Sequence, residues 1–223
     1  MAKESTENLQ QEKINETVSK TEQFFNENKK CIYGTVIAIL VIGLGALAYN
    51  QWVLKPKQAE AMEQMFPAEN SFALGEYELA LNGDGNVLGF NDIIDEFGAK
   101  GGKDVYFYAG VCDLQLGNNE EAIKNLKKYK GKDQILAARA LACIGDAYVN
   151  LEDYQTAVSY FEKAAAKSDN LFSAEYLLKA GAVYEALEQN EKALACYKTI
   201  KDQYPQSVEG YDIDKYISRI ENK

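Results

Sequence analysis

Chemistry in this chain has to be done without histidine, because its 223 residues contain none. That removes His-based general acid/base catalysis, Ser/His and Cys/His dyads, and every His-ligated metal site. The four cysteines, Cys31, Cys112, Cys143 and Cys196, stand far apart with no CxxC pair. Each therefore reads as a small buried hydrophobe and not as a redox or zinc ligand. Three short patterns imitate ligand loops and fail on spacing. Gly83, Gly85 and Gly89 follow G-x-G-x-x-x-G, one residue too long for a dinucleotide loop, and read as a turn. Asn82, Asp84 and Asn86 resemble the start of a calcium loop, but Val87 stands where its glycine belongs and Ile93 where its bidentate glutamate belongs. Gly98, Gly101, Gly102 and Lys103 lack the phosphate-loop spacing and its Ser/Thr. The acidic residues Asp92, Asp95 and Glu96 belong to a solvated helix face. No catalytic site, metal or cofactor is expected, and the chain does not read as an enzyme.

With 24 Lys+Arg against 34 Asp+Glu the net charge is −10, which repels phosphate backbones. Nucleic acid is not expected as a partner. Apolar types make up 47% of the chain and charged types 26%, a globular composition long enough for one domain and an extra segment.

The elements behind these residues repeat. Gly110, Gly145 and Gly181 are 35 and 36 residues apart, and each is followed twelve residues later by an alanine, at Ala122, Ala157 and Ala193. Leu126, Phe161 and Tyr197 follow the alanines by four. With Leu141, Tyr148, Tyr154 and Ala164 in the middle copy, and Leu177, Tyr184 and Pro205 in the last, these positions match the tetratricopeptide repeat, a pair of antiparallel helices. The Gly/Ala pair lets the two helices approach, and the bulky residue fills the space beside them. Asp113 stands where the first copy should carry an aromatic. Turns are expected at Gly117-Asn118-Asn119, Glu152-Asp153 and Glu188-Gln189-Asn190. Leu74 and Gly75, 35 residues before Gly110, predict a degenerate first repeat, with Phe90, Ile93, Ile94 and Phe97 on its second helix. Ile213, Tyr216, Ile217 and Ile220, with Lys215, Arg219 and Lys223 opposite, predict a helix that caps the solenoid.

Ahead of the repeats, Ile32 to Leu54 form 23 uncharged residues, enough for a helix of about 34 Å. Tyr33, Tyr49 and Trp52 suit the two membrane interfaces. Ala46, Leu47 and Ala48 imitate a signal-peptidase site, but the preceding arm is too long and too acidic for a signal peptide, so a retained anchor is expected. Five lysines precede the span, and only Lys55 and Lys57 follow it closely. That bias predicts a cytoplasmic N-terminus and an extracytoplasmic C-terminal domain. Ile14, Val18, Thr21 and Phe25 recur at helical spacing, so the arm reads as a short amphipathic helix or a disordered tail. The expected architecture is all-α: a cytoplasmic arm (1–31), one transmembrane helix (32–54), a linker helix with the degenerate repeat (55–104), a solenoid of three repeats (105–206) and the cap (207–223).

A solenoid of this kind offers a groove lined by the first helix of each repeat, which binds peptide or protein segments. Counting along those helices places Phe107, Val111, Leu114 and Gln115 there, then Arg139, Ala142, Asp146, Val149 and Asn150, then Glu175, Leu178, Ala182 and Glu185. This lining is apolar or acidic, with only Arg139 and Asn150 able to clamp a carboxylate. An apolar segment bearing a few basic residues is the expected ligand, and acidic peptides are expected to be repelled.

The whole layout resembles the YfgM-like ancillary subunits of the Sec translocon. Phe24-Phe25-Asn26-Glu27-Asn28-Lys29-Lys30 is similar to that family's F-F-x-x-N-x-K entry into its anchor, and Tyr49 and Trp52 to its aromatic exit. The resemblance implies a single-pass protein of the bacterial inner membrane with a periplasmic repeat domain. It also implies partners in the translocon and in periplasmic chaperones, between which emerging secretory chains would pass. A scaffold subunit of an envelope or secretion complex, with one fixed partner, is the alternative.

Overall fold

The computed structural model describes residues 2–98, 102, 104–167 and 170–222, with side chains from Phe24 onward except Phe25 and Asn26. Every regular element among the described residues is helical. Contacts divide the chain into two units, Met1–Pro56 and Lys57–Lys223. Of the residues that lack the phosphate-loop spacing, Gly101 and Lys103 lie outside the described set, as does Lys223 of the cap.

The first unit consists of α1 (Ala2–Tyr49) followed by a π-helical turn (Asn50–Leu54). Helical residues Glu27–Ala73 contain one stretch long and apolar enough to cross a membrane, and none of that stretch is buried against protein. Ile37, Leu40, Ile42 and Leu47 are all more than half exposed. A contiguous apolar surface of this extent requires lipid or a partner to cover it. The arm is helical, but Ile14, Val18, Thr21 and Phe25, read as one face of it, lie outside the described side chains.

Helix α2 (Lys55–Ala73) belongs to the second unit from Lys57 onward, and α3 (Tyr77–Asn82) and α4 (Phe90–Phe97) follow it. Ala61, Met65 and Ala68, spaced at i, i+4 and i+7, carry the buried stripe of α2 into a cluster with Leu81, Phe90, Ile93 and Phe97. Phe72, Phe90 and Tyr108 close that cluster with ring centroids 5.1 to 6.4 Å apart. The register expected for a degenerate repeat is corrected here. Gly75 is not a helix-contact glycine: its φ of 78° ends α2, and Leu74 is 75% exposed. Glu76 N–H donates to Ser71 O at 2.9 Å and Gly75 N–H to Phe72 O at 3.0 Å, the Schellman pattern that only a left-handed residue completes. Gly75 is thus the counterpart of a turn residue of the later repeats. The small helix residues are Ala68 and Ala80, both buried and twelve apart like Gly110 and Ala122. After Asn82 the pattern breaks into a loop in which the Asp84 carboxylate accepts from the N–H groups of Asn86 and Val87, at 2.8 and 3.0 Å. Those bonds hold the Asp84 carboxyl below the usual carboxylate range.

Three helix pairs follow: α5 (Asp104–Gln115) with α6 (Asn119–Lys128), α7 (Gln134–Asn150) with α8 (Tyr154–Lys167), and α9 (Phe172–Ala186) with α10 (Asn190–Gln203). Their contacts follow the repeat pattern. A Cβ on Gly110 would lie 2.6 Å from Leu126 Cγ, one on Gly145 2.6 Å from the Phe161 ring, and one on Gly181 2.3 Å from the Tyr197 ring. Ala122, Ala157 and Ala193 are fully buried on the facing helices. Each pair is joined by the same turn, with Gly117, Glu152 and Glu188 at positive φ. The Schellman bonds recur from Asn118, Asp153 and Gln189 N–H to Asp113, Tyr148 and Tyr184 O, at 2.8 to 2.9 Å. Asp133 caps α7 by accepting from Ile135 and Leu136 N–H, and Ser207 caps α11 (Val208–Glu221) by accepting from Gly210 N–H.

Asp113 keeps its helix intact. It is 4% exposed, and its carboxylate accepts from Asn125 Nδ2 at 2.8 Å. One repeat later the same two places are Tyr148 and Tyr160, whose rings stack at 5.5 Å. A polar pair therefore replaces a ring pair, and burial pushes the Asp113 carboxyl above its ordinary range. At the far end Ile213 and Ile217 of α11 are buried against α10 and α9, with Tyr216 5.3 Å from Tyr197.

Candidate functional site

The first helices of the three repeats enclose a cavity of about 280 Å³. Val111, Leu114 and Gln115 of α5 line it, with Arg139, Ala142 and Asp146 of α7 and Glu175 of α9, all expected there from the sequence. Ile135, Cys143, Phe172, Tyr176 and Lys179 complete the wall. Ile135, Phe172 and Glu175 also line a second, larger cavity of about 600 Å³, which continues to Leu171 and to Val208 and Glu209 at the start of α11. The two cavities share those three residues and so adjoin, and they are taken together as the groove. Its apolar end is exposed: Ile135 46%, Leu171 58%, Phe172 53% and Val208 83%.

The other expected groove residues lie elsewhere. Phe107 is a core residue, 4% exposed, with its ring 5.7 Å from that of Tyr129. Val149 and Leu178 are half-buried against the core of the last two repeats. Asn150 sits at the end of α7, where its side-chain amide donates to Asn119 Oδ1 at 2.9 Å and ties the first two repeats together. Ala182 is exposed but lines neither cavity. Glu185 accepts from the Tyr197 hydroxyl at 2.8 Å and from the Arg219 guanidinium of the cap, so it is a fastening and not part of the lining. The reason is geometric. Counting equivalent positions assumes that the lining stays at one level of every first helix. Stacked repeats rotate, so the lining slides from residues 111–115 of α5 to 135–146 of α7 and 172–179 of α9.

The electrostatics differ from the sequence reading as well. Lys179 Nζ lies 2.8 and 3.0 Å from the two Asp146 carboxylate oxygens and 3.5 Å from Glu175 Oε1. Burial disfavours the Lys179 charge, but Asp146 and Glu175 outweigh it and hold its pKa above the usual lysine value. With Arg139 the inner cavity holds two cations against two carboxylates, so the expected acidic flank is neutralised. Lys179 was the missing residue. It stands 33 positions from Asp146, and the repeat pattern alone carries no signal for an ion pair between neighbouring repeats. Burial pushes the Cys143 thiol to about 11 and the Tyr176 hydroxyl to about 12, so neither ionises near neutral pH. Among the described residues no group of three or more Cys, Asp or Glu is placed to hold a metal ion. The groove can bind, by apolar contact at one end and paired polar groups at the other.

Residues 104–133 and 175–207 match one model of the tetratricopeptide repeat, and residues 138–166 match a second. Among solved structures, a crystal structure of MamA protein is 18% identical with a TM-score of 0.56, covering 74% of this chain and 83% of that one. Another crystal structure of MamA is 19% identical with a TM-score of 0.52, covering 70% of this chain and 92% of that one. No curated protein matches the chain. At such identities the likeness speaks for the fold. The second unit carries tetratricopeptide repeats stacked as an α-solenoid, an architecture it shares with MamA.

Proposed function

We propose that the protein is a membrane-anchored, non-catalytic module that captures extended segments of other proteins in the groove between its first helices. The observation that carries this reading is the groove itself. Its two adjoining cavities draw on α5, α7, α9 and the start of α11, with exposed Ile135, Leu171, Phe172 and Val208 at one end. Exposed apolar side chains grouped in a concave surface are the usual signature of a protein-binding site. The unburied apolar helix and the lysines before it support an anchor in the bacterial inner membrane with the repeats in the periplasm. The family-like entry motif at Phe24–Lys30 supports an ancillary role at the Sec translocon, handing emerging chains to periplasmic chaperones. Copurification of the full chain in mild detergent tests this reading. Translocon subunits together with many substoichiometric secretory proteins support it. One stoichiometric partner and no clients would make the protein a scaffold. Protease added to spheroplasts should degrade the repeats and spare an N-terminal tag; the opposite pattern ends the periplasmic placement.

A further inference from the structure

In the repeats and the cap, Lys124, Lys179, Lys198, Lys201 and Lys215 each pair with a carboxylate. Six others, Lys127, Lys128, Lys130, Lys132, Lys163 and Lys167, are exposed and form no ion pair among the described residues, although the chain carries a net charge of −10. They come from the end of α6, the loop after it and the end of α8. Tyrosine rings steady several of them. Lys127 Nζ lies 5.5 and 5.9 Å from the ring centroids of Tyr148 and Tyr160, Lys163 Nζ lies 4.9 Å from Tyr160, and Lys128 Nζ lies 5.3 Å from Tyr106. Such stacking leaves the ammonium charge in place.

Lys127, Lys130 and Lys167 border a cavity of about 420 Å³, whose inner wall includes Ala137, Ala140, Leu141 and Ile144. Tyr129 lines the same cavity. It is 6% exposed, and its hydroxyl is buried with no hydrogen-bond partner among the described residues. No residue of this cavity lines the groove between the first helices.

We infer that this cavity is a second docking site, for an acidic protein segment that carries one apolar anchor residue. The anchor sits on Ala137, Ala140, Leu141 and Ile144, and the segment's carboxylates face Lys127, Lys130 and Lys167. A recess of side-chain size favours a protruding residue over the flat surface of a bilayer. The inference does not depend on a role at the translocon.

The test uses the full chain in nanodiscs of zwitterionic lipid and a fluorescein-labelled peptide of eight Asp and Glu residues flanking one Phe, read by anisotropy. Lys130 and Lys167 are both exposed, so Lys130→Glu with Lys167→Glu should leave helicity unchanged and weaken binding about tenfold or more. Replacing the peptide's Phe by Ser should weaken it about tenfold as well, while Phe172→Ser in the other groove should change nothing. Affinity unchanged by the double reversal, or equal binding of the Phe-free peptide, would overturn the site. It would also be overturned if anionic lipid in the disc abolished peptide binding and the double reversal restored it, because the lysines would then belong to the membrane surface.

Discussion

Gly181→Ala isolates the close approach on which the repeats depend. An alanine Cβ at this position would meet Tyr197 Cε1 at 2.3 Å, Cζ at 2.8 Å and Cδ1 at 2.9 Å. The ring cannot retreat, because Tyr197 is fully buried and its hydroxyl is tied to Glu185 at 2.8 Å. One added methyl with three contacts under 3.0 Å lies at the upper end of overpacking costs, about 3 kcal/mol. Alanine's better helix propensity offsets about 1 kcal/mol of that. The net loss is about 2 kcal/mol, a fall of roughly 4 to 8 °C in the midpoint for a unit of this size. Thermal unfolding of the full chain in detergent, followed by far-ultraviolet circular dichroism, measures it. Tyr197→Leu removes the two nearest ring atoms, so in that background Gly181→Ala should cost at least about 1 kcal/mol less than in the native chain. If Gly181→Ala raised the midpoint in the native chain, as it would at an exposed helix position, the helices would not be in contact here and the packing argument would fail.

The groove makes a contrasting pair. Ile135→Ser with Phe172→Ser should abolish partner capture at unchanged helicity, whereas Phe107→Ser should cost about 3 to 5 kcal/mol and unfold the first repeat; capture surviving the first pair removes the groove from the mechanism. Asp113, whose carboxyl is raised by burial, is easier to bury protonated. Stability from this group is therefore full at low pH and is lost as pH rises through its raised pKa; Asp113→Asn should flatten that slope and equal or exceed the native chain in stability at pH 7, as denaturant melts across pH would show. Burial also pushes the thiols of Cys112 to about 12 and of Cys143 and Cys196 to about 11. Cys112 and Cys196, which are buried, should resist a maleimide at pH 7 until the chain is denatured, and rapid native labelling of either by mass spectrometry would contradict their placement.

The helix pairs were legible because small residues at close contacts and bulky residues beside them leave a period that survives sequence change. Gly110, Gly145 and Gly181 could be placed against Leu126, Phe161 and Tyr197 from spacing alone. The degenerate repeat misled because Gly75 shares its residue type with Gly110 but serves a turn, as Gly117 does. Spacing could have separated the two roles, since Ala68 and Ala80 keep the twelve-residue interval. The groove was only partly legible. Val111, Leu114, Arg139 and Asp146 meet in it, yet the rotation between repeats carries the lining off the equivalent positions, and Phe107, Val149 and Leu178 go to the core instead. The exposed anchors Ile135, Leu171, Phe172 and Val208 lie at or next to helix starts, where apolar residues carry no periodic signal. Their role depends on which loops meet.

The groove's apolar end draws on α7, α9 and α11 at once, through Ile135, Phe172 and Val208. In a stack of repeats each unit touches its neighbours only, so bending and end-fraying are soft modes. A segment lying across three successive first helices would brace them like a splint. Binding should then slow amide exchange in α11, which is held by Ile213, Ile217 and Arg219, more than in α5. The solenoid would change its stiffness on loading without changing its fold.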